Sequence, residues 1–94
     1  MKGIAVIFKN RPTTTGFENI TVHDCLIAPN GSPNAARPQI RIHLPKTFNE
    51  NVEGTFVNHD GYDWYVVGVA TKSMDENTPT RWNRYAIAER IKFL

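Results

Sequence analysis

An Asp-Gly pair at 60–61 separates two runs rich in β-branched and aromatic residues. Thr55-Phe56-Val57-Asn58 leads in through His59, and Tyr62 to Ala70 leads out. Glycine supplies the positive φ that a tight two-residue turn requires, so this stretch commits the chain to an antiparallel hairpin. Gly68 inside the outgoing run predicts a bulge or a close backbone approach. The same period of two recurs elsewhere. Ile4 to Phe8 is a short apolar run closed by the turn signals Asn10, Arg11 and Pro12, and it reads as a first strand. Thr13 to Gly16 reads as a loop. In Ile20–Ile27, Ile20, Val22 and Leu26 fall on one face and Thr21, His23, Cys25 and Ile27 on the other, with Asp24 out of place among the apolar set. In Gln39–Leu44, Ile40, Ile42 and Leu44 oppose Arg41 and His43, and Pro45 ends the run.

The connections are polar. Ala28 to Arg37 holds Pro29, Asn30, Gly31, Ser32, Pro33 and Asn34, and it predicts a loop over 28–37 that is long for a small domain. Lys46–Asn51 and Lys72–Thr80 are irregular. Arg81 to Leu94 admits two readings. As a strand it aligns Tyr85, Ile87, Glu89, Ile91 and Phe93, and as a helix it groups Trp82, Tyr85, Ala86 and Glu89. The strand is preferred. The expected fold is all-β: one domain over 1–94, a small β-barrel or sandwich of about six short antiparallel strands.

Composition narrows the function classes. Ninety-four residues with 40% hydrophobic content suit one domain with its own core. The single cysteine excludes an internal disulfide framework. No apolar run approaches the ~20 residues of a membrane-spanning helix, so no membrane partner is expected. The start lacks the pattern of a signal peptide, which points to the cytoplasm. The formal net charge of +2 does not announce a nucleic-acid binder.

Candidate chemistry is sparse. His23, His43 and His59 lie on separate segments, without the spacing of a metal site. Cys25 sits mid-strand, where a lone cysteine acts as a small hydrophobe. Asp60/Asp63 and Asp75/Glu76 are loop and hairpin carboxylates that solvent accounts for. No catalytic residue, metal ligand or cofactor site is expected, and the chain is read as a non-enzyme. The one stretch with binding chemistry is Arg81-Trp82-Asn83-Arg84-Tyr85, followed by Arg90 and Lys92. Bases stack on aromatic side chains beside a basic groove, so Arg81, Trp82, Arg84 and Tyr85 would serve a barrel that binds single-stranded nucleic acid. Trp64, Trp82 and Tyr85 are equally suited to filling a small core.

A wider pattern runs through residues 38–92: Ile42-His43-Leu44-Pro45, Gly54-Thr55-Phe56-Val57, Gly61-Tyr62-Asp63-Trp64-Tyr65-Val66-Val67-Gly68 and Asn77 to Arg90. It resembles the minor-capsid and head–tail connector proteins of tailed phages and prophages of Gram-positive bacteria. The segment carrying Thr78, Pro79, Trp82, Asn83, Glu89 and Arg90 is its most specific part. The resemblance implies a head-closure (stopper) ring subunit that retains packaged DNA and docks the tail. Its partners would be further copies of itself, portal, adaptor and tail proteins, with non-specific contact to packaged DNA. Its place would be the virion neck, after assembly in the host cytoplasm. A tail terminator or adaptor is the alternative within that class. Trp82 would fill a core pocket, Asn83 would cap the turn before the last strand, and the 28–37 loop, with Arg37 at its end, would reach into the channel or onto the next ring.

Overall fold

The computed structural model describes residues 3–31, 37–71 and 84–91. Six strands account for most of them: β1 (Ile4–Thr13), β2 (Gly16–Asn30), β3 (Gln39–Leu44), β4 (Phe56–His59), β5 (Tyr62–Thr71) and β6 (Arg84–Arg90). All neighbours are antiparallel, and they close in the order β1-β2-β3-β6-β5-β4. The all-β expectation holds, and the barrel is the architecture adopted.

The hairpin at 60–61 forms as its sequence dictates. Asp60 (φ 54°) and Gly61 (φ 79°) both take positive φ between β4 and β5, the geometry that matches the twist of the flanking strands. The bulge expected at Gly68 is present. Val66 pairs with Ala88 and Gly68 with Ile87, so β5 spends one more residue than β6 across this step. No atom lies close above Gly68, so the glycine serves the bulge. The final segment is a strand over Arg84–Arg90. Ala86 and Ala88 face inward, fully buried, while Tyr85, Ile87 and Glu89 lie half-buried outside. Small side chains on β6 leave room for Ile40, Ile42, Val66 and Trp64 from its two neighbours, as the narrow interior of a small barrel requires.

Three boundaries differ from the sequence reading. β1 does not stop at Asn10-Arg11-Pro12 but runs to Thr13, and β2 begins at Gly16, so Thr14-Thr15 is a tight turn rather than part of a loop. Pro12 pairs with Phe17 in a two-stranded ribbon, where a strand has an outer edge and can spare a donor. The expected 28–37 loop begins later, at Gly31. Ala28, Pro29 and Asn30 pair with Arg41, Ile40 and Gln39. β1 reaches along β2 only as far as Cys25. Beyond that point β2 has β3 on one side only, and a proline is tolerated on such an edge. Several strands are also longer than expected: β1 and β5 span 10 residues each and β2 spans 15.

Asp24 resolves the broken alternation in β2. Val22 pairs with Val6 and Cys25 with Ile4, so β2 uses three steps where β1 uses two. Asp24, at φ 65°, carries the extra residue, a conformation that aspartate tolerates better than most residues. The bulge inverts the parity, and Cys25 joins Val22 inside the barrel instead of facing the other way. The core is Val6, Phe8, Val22, Cys25, Ile40, Ile42, Leu44, Val52, Val57, Trp64, Val66, Ala86 and Ala88. Thr55 and His43 are the buried polar residues described, and the Thr55 hydroxyl donates to the Val52 carbonyl at 2.6 Å.

Candidate functional site

Two features leave the barrel with surface that the described residues do not cover. The first is the far end of the β1–β2 hairpin. A second bulge, at Asn10 (φ 62°), shifts the register between Phe8↔Ile20 and Arg11↔Glu18. Beyond it the two strands continue as an arm through Pro12↔Phe17 and Thr13↔Gly16. The arm has a polar and an apolar side. Arg11 reaches Glu18 (3.8 Å) and Glu50 of the loop after β3 (3.3 Å), tying one side to the barrel. Adjacent strand residues point to opposite faces, so Pro12 and Phe17 share the side turned away from Arg11. Phe17 is 75% exposed, more than any other large hydrophobic residue described. A two-stranded ribbon is marginal in water by itself. The Arg11 bridges and an Asn19 side chain accepting from the Asn10 N–H (3.2 Å) hold this one in place.

The second feature is the closing seam. β1 and β4 pair only at Lys9↔Phe56. Past that pair the strands part, and a recess of about 310 Å³ opens among Ile4, Ile7, Ile27, Val57, Asn58 and His59. Ile4 and Ile7 are about half exposed there (50% and 47%). Val57, Asn58 and His59 of β4 run on past that pair without a ladder partner on β1.

Across the outer surface one ladder row visits every strand: Lys9, Phe56, Tyr65, Glu89, Gln39 and Asn30. Phe56 and Tyr65 pack tilted, 5.3 Å between ring centres. The Asn30 amide donates to Gln39 Oε1 (3.0 Å), and Gln39 Nε2 donates to Glu89 (2.9 Å).

The residues singled out in the sequence occupy mostly structural positions. Gly61 makes the turn and Gly68 the bulge. Trp64 is a core residue (6% exposed) whose indole donates to the His59 carbonyl at 2.9 Å. Glu89 finds its partner in Gln39. Arg90 lies over the Tyr62 ring, 4.5 Å from its centre. Arg84 donates to the Phe48 carbonyl, and Tyr85 packs against His43 at 5.8 Å. Arg84 and Tyr85 therefore point to opposite faces of β6 and do not form one stacking surface. Gly31 (φ 90°) and Arg37 are exposed at the two described ends of the β2–β3 connection, while Pro29 and Asn30 belong to β2. Ser32, Pro33, Asn34, Thr78, Pro79, Arg81, Trp82 and Asn83 lie outside the described residues. Among the described residues no group of three or more His, Cys, Asp and Glu converges. His23 is exposed on β2, and His43 and His59 pack against Tyr85 and Trp64.

Cys25 has a defined chemistry. Burial, with the Asp24 carboxylate beside it, pushes its thiol up from 9.0 to about 12. The folded chain should not react with a disulfide reagent at pH 8, whereas the unfolded chain should react at once. The linkage sign follows. Above pH 9 the unfolded thiol loses its proton and the folded thiol keeps it, so stability falls as pH rises from 9 towards 12. Urea titrations at pH 8 and pH 10.5 of this chain and of Cys25→Ala measure that loss, which the variant should lack.

Sequence analysis did not foresee the arm or the seam. Phe17, an isolated aromatic two residues after a Thr-rich turn, was the available signal for the arm. Comparisons with protein-family models, curated proteins and solved structures give no match to this chain.

Proposed function

We propose that this chain is a structural subunit of a phage head–tail connector. In this reading it is a head-closure ring protein that retains packaged DNA and docks the tail, and it is not an enzyme. The observation that carries the reading is the braced arm. It presents a largely exposed phenylalanine on the side of the arm opposite the Arg11–Glu50 ion pair. The exposed Phe17 on the arm and the exposed Ile4 and Ile7 at the seam are apolar surface that a neighbouring subunit would cover. The resemblance of residues 38–92 to connector proteins names the assembly, with tail terminator or adaptor as the neighbouring role. Ring subunits use two different surfaces that meet head to tail. A small barrel with an arm on one side and an open seam on another offers two such surfaces.

Deleting the gene from the phage or prophage that carries it is the direct test. The expected particles are heads that have lost their DNA and lack tails. Full, tailed, infectious particles from the deletion would reject the proposal.

A single-stranded nucleic acid is the second reading. The exposed rings of Tyr62, with Arg90 over it, and of Tyr65, packed on Phe56 on the other face of β5, favour it; the two tyrosines are 50% and 39% exposed. It predicts oligonucleotide binding that weakens steeply with salt and is lost on replacing Tyr62 and Tyr65 together.

A further inference from the structure

We propose that the β1–β2 arm of one copy seats in the β1–β4 seam of a second copy, and that this contact repeats head to tail. The inference rests on the assembly reading above and names the surfaces that would make it. Pro12 and Phe17 are the inserted side chains. The seam residues Ile4, Ile7, Ile27 and Val57 form the receiving walls, with Asn58 and His59 at the rim.

Size is the first argument. A closed apolar cavity of about 150 Å³ accepts a benzene ring, and the recess here is about 310 Å³. It has room for the phenyl ring of Phe17 with the pyrrolidine of Pro12 beside it. The second argument is the sheet edge. Past Lys9↔Phe56 the facing sides of β1 and β4 have no ladder partner in each other. Unpaired strand edges are templates for an added strand. The arm is itself extended, and its outer edges have no ladder partner among the described residues. The third argument is orientation. Arg11 is spent on Glu18 and Glu50 of its own chain, which turns the Pro12–Phe17 side outward. The arm therefore cannot fold back to fill its own seam without breaking these bridges.

The amount of surface sets the strength. A stable interface involves about 20–30 residues a side. The arm beyond the Asn10 bulge offers ten, residues 10–19, and nine line the recess. One contact of this size gives weak pairs. Closure into a ring lets each subunit use both surfaces, and the linked contacts reinforce one another. The occupant is thus a second copy of this chain, and a single pair should exchange quickly.

Two variants and one probe test this with the full chain. Phe17→Asp spoils the arm and Ile7→Asp spoils the seam. Both positions are about half exposed or more, and matching thermal unfolding will show that the fold is kept. Sedimentation at high concentration should show each variant associating about thirtyfold more weakly than the unaltered chain, as removal of a central anchor does. Their equimolar mixture should form one-to-one pairs and nothing larger, because only one good arm and one good seam remain to meet. A photoreactive benzoylphenylalanine in place of Phe17 should crosslink to peptides holding Ile4–Ile7 or Val57–His59 of another copy. Unchanged association in both variants, or crosslinks elsewhere or none, would overturn the arm-in-seam contact. The head–tail assembly reading would still stand, since the deletion phenotype decides it separately.

Discussion

Phe8→Ala should destabilise the barrel by about 3–5 kcal/mol, the range for truncating a buried aromatic residue. Phe8 is fully buried on β1 and packs in the core against the barrel's other walls. A domain of this length has roughly 5–14 kcal/mol of total stability, so this one change removes a large share of it. Phe17→Ala supplies the control on the same two-stranded ribbon. Phe17 is 75% exposed, so its loss should cost less than about 0.5 kcal/mol. Phe8 lies on β1 on the barrel side of the Asn10 bulge, and Phe17 lies on β2 beyond it. Urea unfolding of both variants, followed by tryptophan fluorescence, measures the contrast. Equal costs would mean that the arm is packed onto the barrel and not held clear of it.

Trp64→Ala should cost a similar ~3–5 kcal/mol, for two separable reasons. Its ring fills the interior next to Val57 and Arg90, its ladder partners on β4 and β6. Its indole N–H satisfies the His59 carbonyl at the end of β4. Trp64→Phe keeps most of the ring and drops the donor. It should cost about 1–3 kcal/mol, the range for a smaller core side chain with one buried hydrogen bond lost. The His59 carbonyl belongs to the hairpin that leads into the Asp60-Gly61 turn. Trp64→Phe should therefore also speed amide exchange at Tyr62 and Asp63, while exchange in β3 follows only the global stability change. Hydrogen exchange in the two variants separates the packing part from the hydrogen-bond part. A Trp64→Phe chain with unaltered local exchange would remove the turn from this account.

The core was legible wherever a period of two survived. Ile40, Ile42 and Leu44 alternate without interruption, and all three are buried. The Asp60-Gly61 turn was legible because few backbone conformations suit that pair. Strand ends were not legible where a proline fell on an edge. Pro12 and Pro29 look like terminators in sequence, and only the neighbouring strand decides whether the missing N–H matters. The facing of Cys25 depended on a bulge whose single trace is Asp24 among alternating apolar residues. The arm and the seam were hidden for a related reason. The arm depends on β1 and β2 pairing on beyond the barrel and the seam on where β1 and β4 part, and both are settled by partners far away in sequence, such as Lys9 with Phe56. Within the stretch 81–85, Arg84 reads as a free cation until the Phe48 carbonyl beside it is seen, and 81–83 lie outside the described residues.

In the proposed assembly this barrel is one of several identical subunits at the neck of a virion. Counting its copies in purified particles, against an isotope-labelled standard of the same chain, tests that most directly. The account predicts several copies per particle, a constant number from one preparation to the next, retained at the head–tail junction when heads and tails are separated. Intact particles that contain none of it would contradict the claim.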